Sequence, residues 1–285
     1  MMRRGIKNAT VKEDSYKSDF SSFKMAGKWN LKFSNHSWIR EIHAATSVSW
    51  QWEKMRETKS VSLNRPAAIA TQTETGESDG IYLPYNYVAQ MEIDGKPLYV
   101  TVSARTHLAF PLGGLQNRMN LGVEWNYQKN LGKGQVFDVT RPISEGLSTR
   151  PRRFKDIPGL QPFAFYAEEV LNLPVKRHKL AFTAGIRLQS LLGLDTKYKM
   201  QGKIYPDLRL DLQWSLPISN GWDWLSFSGG LGWISRMPTT AQLYPDFKYV
   251  DLIQLNYYHN HPDYRRINMM TYKWDNTNYQ LEPAQ

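Results

Sequence analysis

Period-2 alternation of apolar and polar residues runs through most of this chain, and helical periodicity is rare. Over residues 23–33 the odd positions are Phe23, Met25, Gly27, Trp29, Leu31 and Phe33, against Lys24, Ala26, Lys28, Asn30 and Lys32. That pattern predicts a long strand with one apolar face. After a short turn, Trp38, Ile42, Ala44, Val48, Trp50 and Trp52 alternate with Glu41, His43, Ser47, Ser49 and Gln51, with Arg40 and Thr46 as mild interruptions. Met119, Leu121, Val123, Trp125 and Tyr127 do the same against Arg118, Asn120, Glu124, Asn126 and Gln128. So do Leu180, Phe182, Ala184, Ile186 and Leu188 against Thr183, Arg187 and Gln189. The clearest run sets Ile204, Pro206, Leu208, Leu210, Leu212, Trp214 and Leu216 against Lys203, Tyr205, Asp207, Arg209, Asp211, Gln213 and Ser215. Weaker strands fall at 98–110, 161–173, 222–234, 249–258 and 264–274, about ten in all. Residues 163–173 also share a helical face through Phe163, Ala167, Val170 and Leu171, but Pro162 and Pro174 favour extended chain.

Connections carry as much information as strands. Short turns at 35–37, 111–116, 174–178 and 217–221 take turns with long links at 53–96, 129–160, 192–202 and 235–248. Outer-membrane barrels have short turns on one side and long loops on the other. Strands of about 11 to 14 residues also exceed the usual length and match what is needed to cross a hydrocarbon layer obliquely. The fold class expected is therefore all-β: an antiparallel transmembrane β-barrel segment of about ten long strands. Its lipid face would include Leu208, Leu210 and Leu212, and its lumen Lys24, Lys28, Lys32, Arg118, Glu124, Arg187, Lys203, Asp207, Arg209 and Asp211. Trp29, Phe33, Trp38, Trp50, Trp52, Trp125, Tyr127, Trp214, Trp222 and Trp224 cluster near strand ends, as interfacial girdles do. The links 53–96 and 235–248 are the expected substrate-facing loops.

Composition sharpens this picture in three places. The 285 residues contain no cysteine, which excludes disulfides, thiolate metal sites and a cysteine nucleophile. No apolar run approaches the roughly 18–20 residues of a membrane helix, and a mean hydropathy of −0.55 is what alternating faces produce. The formal charge of +10 is spread over both ends of the chain. Arg150, Arg152, Arg153 and Lys155, or Arg265 and Arg266, suggest a nucleic-acid contact or anionic lipid headgroups, and no nucleic-acid-binding motif accompanies them. Lipid is the partner expected.

Catalytic signatures are missing from the sequence: neither a nucleophile elbow nor a phosphate loop is present. Asp207 and Asp211 share a strand face but stand about 13 Å apart, too far for a glycosidase pair. Glu168 and Glu169 point to opposite faces of an extended chain. His259, His261 and Asp263 offer metal ligands, although Asn260 and Pro262 mark a solvated loop. The expectation is a protein that is not an enzyme, with no cofactor, no metal, and a substrate site not assignable to residues.

The later strands resemble a known family. Tyr166-Ala167-Glu168-Glu169 with Leu171, then residues 180–187, then Tyr205-Pro206-Asp207-Leu208-Arg209-Leu210 with Trp214, then Gly232-Trp233 and Ser235-Arg236-Met237-Pro238-Thr239 resemble the barrel of TonB-dependent outer-membrane receptors. Gln242-Leu243-Tyr244-Pro245-Asp246, residues 249–258 and the closing 278–283 are similar to the SusC-like receptors of Bacteroidetes. The resemblance implies a barrel of about 22 strands with a plugged lumen, set in the outer membrane and importing a nutrient or chelate. It also implies a plug domain, the TonB complex and a SusD-like lipoprotein as partners. No signal peptide, plug domain or aromatic terminal strand is visible, so residues 1–285 are expected to be a partial barrel domain, a fragment. A small passive pore and a soluble all-β carbohydrate-binding module remain as alternatives.

Overall fold

Alternation becomes strand almost wherever the sequence predicts it. The computed structural model describes residues 14–34, 37–112, 115–144, 149–219 and 223–284. In chain order its strands are β1 (Ser15–Lys32), β2 (Ile39–Ser62), β3 (Ala68–Ile69), β4 (Gly76–Asp79), β5 (Ile81–Tyr82), β6 (Asn86–Gly95), β7 (Pro97–Leu108) and β8 (Pro111–Leu112). There follow β9 (Leu115–Asn130), β10 (Gly134–Phe137), β11 (Gln161–Val175), β12 (His178–Leu192), β13 (Tyr205–Ser219), β14 (Asp223–Trp233), β15 (Lys248–Tyr257) and β16 (Arg266–Trp274). One four-residue helix, α1 (Thr240–Leu243), and two single 3-10 turns complete the described elements.

An antiparallel meander β1-β2-β7-β9-β11-β12-β13-β14 forms a sheet curled into a half-barrel. β6 and β7 behave as one strand against β2: Ser62↔Asn86 through Glu53↔Gly95 continues into Trp50↔Leu98 without a change of register. The link expected at 53–96 is therefore largely strand, because alternation weakens beyond Trp52 while the hairpin continues. The true loop is 63–85. Tight turns join the other ends. Val175 pairs His178 across Lys176-Arg177, and Lys176 takes φ 53°, the left-handed region.

Residues 163–173 are β11, the extended chain expected, since both neighbours offer ladder partners over that length. Two further expectations change. Strands β15 and β16 do not extend the meander but pair with β4 in a separate three-stranded sheet, so the large sheet has eight long strands and not ten. A period-2 pattern fixes that a segment is extended, not which sheet it joins. Finally, the register shifts between Ile39 and Glu41, so Ile39 and not Arg40 sits opposite Leu108 and Trp38 drops out of the alternation. Arg40, the interruption in the pattern, is the extra residue of this bulge.

Among the described residues no strand pairs with the outer edge of β1 or of β14. Buried apolar side chains gather beyond the loop ends of the strands. Leu160, Leu191, Leu194, Tyr198, Met200 and Leu243 form one cluster, with Tyr244, Tyr279 and Leu281 against it. Ala70, Ile267 and Met269 form a second, and Leu83, Tyr87 and Ala89 a third. The loops are thus a packed cap with its own cores.

Candidate membrane-facing surface and polar lining

Directly opposed residues of an antiparallel sheet share a face, so each register row shows one surface. One row reads Leu31, Ile42, Thr106, Leu121, Ala167, Ile186, Leu208 and Trp233 from β1 to β14. The next includes Met119, Ala184, Leu210 and Leu231, with Glu169 between the first two. These side chains are open: Leu208 is 53%, Leu210 49%, Leu212 48% and Leu231 80% exposed. A water-soluble monomer rarely leaves a continuous apolar face of this extent uncovered. Hence the chain inverts the usual arrangement, with its dry cores in the loops and its largest apolar face outside.

Aromatics band this face toward the loop ends. Phe23 pairs Trp50, Trp125 pairs Val102 and Phe163, and Trp50 packs on Trp52 at 4.7 Å between ring centroids. Toward the turns, Trp214 faces Phe227 at 6.4 Å, with His178 at 6.0 Å. Trp224 departs from the expected girdle: it pairs Pro217 on the polar face, and Lys179 Nζ lies 4.1 Å from its ring centre. The bulge removes Trp38 from the pattern, Trp29 pairs Ala44 in mid-sheet, and Trp222 lies outside the described residues.

The opposite face is polar. Its central row is Lys32, Glu41, His107, Asn120, Glu168, Gly185, Arg209 and Gly232. Asn120 Nδ2 donates to Glu168 Oε1 at 3.0 Å, and Arg187 Nη2 reaches Glu124 Oε2 at 3.4 Å. Arg209 Nε donates to Asp211 Oδ2 at 2.6 Å. Asp207 is buried, accepting from the Ser235 amide at 2.7 Å and from Gln189 Nε2. Tyr166 lies so close against Gly122 that any Cβ there would collide with the hydroxyl end of its ring. A cleft of about 1050 Å³ runs along this face between Glu168, Arg187, Arg209 and Asp211. Lys203 is the exception among the expected lining residues. It precedes β13 and pairs with Glu282 Oε1 at 3.3 Å in the cap, together with Lys199 at 3.1 Å.

Inside the cap Arg150, Arg152, Arg265 and Arg266 of the basic runs are engaged internally. Arg150 donates through Nη2 to both Asp251 oxygens at 3.0 and 2.9 Å and through Nε to the Gln72 carbonyl at 3.1 Å, while its guanidinium stacks 4.9 Å from the Tyr249 ring centre. One buried side chain so ties loop 63–85 and residue 150 to β15. Arg152 donates to the Tyr244 carbonyl, and Arg265 to the carbonyls of His259 and Asn260. The predicted His259–His261 pair is likewise engaged locally: the His261 amide donates to His259 Nδ1 at 3.0 Å, and Asp263 lies 3.5 Å from His261 Nδ1. Of the expected substrate-facing loops, 235–248 contributes α1 and Leu243 to the main cap core.

Sequence reasoning missed a different constellation. Glu41, His43 and His107 each bring one ligand atom within 4.8 Å of the others on the polar face, near the turn ends of β2 and β7. Glu41 and His43 were legible as same-face neighbours, but only the strand register adds His107.

No protein-family model matches the chain, and no curated protein or solved structure is significantly similar to it. Among the described residues no helix is long and apolar enough to cross a membrane, which leaves membrane-crossing strands untouched.

Proposed function

We propose that this sheet is part of the transmembrane barrel of a TonB-dependent outer-membrane receptor, importing a nutrient or chelate. The observation that supports it most is the largely apolar, exposed face across eight long strands, with Glu169 its charged exception, backed by a charged face on the other side. In this reading lipid covers Leu208, Leu210, Leu212 and Leu231, the polar face lines the lumen, and the cap captures substrate outside the cell. The open edges of β1 and β14 receive further strands that close the barrel. A plug domain fills the lumen, the TonB complex supplies energy, and a SusD-like lipoprotein seats over the cap.

The test is reconstitution of the full chain into vesicles of ordinary phospholipid and of phospholipid brominated along its acyl chains. Insertion predicts bromine quenching of tryptophan fluorescence, together with aggregation when detergent is removed without lipid. A monodisperse monomer in plain buffer with unquenched tryptophans would reject the membrane reading in favour of a soluble module. Steady ion conductance by the chain alone would instead favour a passive pore.

A further inference from the structure

His43 and His107 stand on adjacent strands with their rings 5.4 Å apart at 87°. Each has its Nδ1 held by an asparagine from the next strand outward: Asn30 Oδ1 at 2.6 Å from His43, and Asn120 Oδ1 at 2.5 Å from His107. With each Nδ1 engaged by an asparagine, the Nε2 atoms are left as the ligand positions. Nε2 of His43 lies 3.0 Å from Glu41 Oε2. Lys32 opposes Glu41 and Arg105 opposes His43 on the same face. One metal ion satisfies both imidazoles and the carboxylate together.

We propose that Glu41, His43 and His107 bind a divalent transition-metal ion, with Asn30 and Asn120 as the positioning residues that fix the imidazoles. Two neutral imidazoles and one carboxylate suit zinc, nickel, copper or ferrous iron. Calcium and magnesium prefer sets of oxygen ligands and gain little from imidazole, all the more beside Lys32 and Arg105. Ligand bonds of about 2.1 Å place donor atoms roughly 3–3.5 Å apart around an ion, so three ligand atoms already within 4.8 Å of one another have little distance left to close. Three protein ligands leave the remaining positions to water, open to the polar face. The hydrogen bonds from Asn30 and Asn120 correspond to the outer-shell support that metal-binding histidines usually receive. The site bridges β2 and β7 and depends on neither membrane insertion nor the identity of a transported substrate.

The chain, purified in detergent and stripped with chelator, is titrated with zinc by calorimetry and loaded with copper(II) for pulsed electron paramagnetic resonance. His259→Ala/His261→Ala serves as the background, since those histidines are the other plausible ligands. We expect one zinc per chain in that background, persistence in millimolar magnesium and calcium, and a copper signal carrying two imidazole nitrogens. His43→Gln and His107→Gln should each abolish it, and Asn120→Ala should weaken zinc about 10- to 100-fold. Zinc binding that disappears in the His259→Ala/His261→Ala background, or that survives His107→Gln, overturns the assignment. A copper spectrum of that background with fewer than two imidazoles does so without relying on the fold of any ligand variant. A background protein that takes up no zinc leaves the plain His43–Glu41 ion pair and overturns it too.

Discussion

Glu168 and Glu169 are adjacent in sequence and lie on opposite faces of β11. Glu168 opposes Asn120 and accepts its amide hydrogen at 3.0 Å on the polar face. Glu169 opposes Met119 and Ala184 on the apolar face, and its Oε1 is buried with no hydrogen-bond partner among the described residues. The same functional group is therefore satisfied on one side of the sheet and orphaned on the other.

Replacing each glutamate separates the two surfaces. Glu169→Leu removes an unsatisfied polar group and should stabilise the chain in detergent by about 1 kcal/mol, whereas Glu168→Leu orphans the Asn120 donor and should destabilise it by about 1 kcal/mol. Urea unfolding followed by tryptophan fluorescence reads both. Equal and same-signed effects would count against the assignment of the faces.

Leu210→Arg places a guanidinium in the middle of the apolar face. If that face meets lipid, insertion is weakened by about 2–4 kcal/mol. Arg209→Leu, one residue away and pointing to the other side, loses only its hydrogen bond to Asp211 and should insert like the parent chain. Vesicle-bound fractions of the two variants check this, and comparable insertion would sink the proposed lipid contact.

How far the sequence carried the fold depends on what alternation can encode. It located β9, β12, β13 and the second half of β1 with their faces, because those stretches alternate, whereas Tyr16 and Phe20 fall on the polar face and hide the first half of β1. It also separated Glu168 from Glu169. Beyond Trp52 the alternation fades, so β2 and β6 look like loop, although pairing with each other gives every backbone group a partner. Sheet membership is a property of long-range pairing, which is why β15 and β16 appeared as barrel strands and turned out to join β4. Trp224 looked interfacial by its position near a strand end, but only register places it on the polar face. The metal-ligand constellation was half visible: Glu41 and His43 are two apart, while His107 comes from a strand whose offset no local pattern fixes. Arg150 could be read only as a surface charge, since its partner Asp251 is about a hundred residues away.

Arg150 should be the residue on which the cap most depends. Its side chain is 5% exposed and its pair with Asp251 also holds Thr271, whose hydroxyl donates to Asp251 Oδ1 at 2.8 Å. Removing one partner of such a buried pair costs about 3–5 kcal/mol, because the other charge is left unpaired. Arg150→Met should therefore release loop 63–85 and the β15–β16 hairpin to limited proteolysis while the eight-stranded sheet persists. Arg150→Met with Asp251→Leu should restore much of the resistance. Unchanged cleavage of the single variant would show that the three apolar clusters suffice.

Tyr198 sets an alkaline limit on the same cap. Its ring lies in the core between Tyr244 and Tyr279, and its hydroxyl donates to the Leu243 carbonyl at 2.5 Å. Burial, reinforced by the neighbouring tyrosines and by Asp275 and Asp195, pushes the phenol up from 10.0 to about 12. The folded cap thus holds this proton more tightly than the unfolded chain does. The corresponding stabilisation is complete below the unfolded value near pH 10 and is lost as pH rises through about 12. Tyr198→Phe, which cannot ionise, should start about 1 kcal/mol less stable at neutral pH, having orphaned the Leu243 carbonyl. It should then lose less than the parent chain across the alkaline window. Cap proteolysis at stepped pH compares the two, and parallel decline in both proteins would assign the alkaline loss to other groups, Tyr244 first among them, since burial raises its phenol as well.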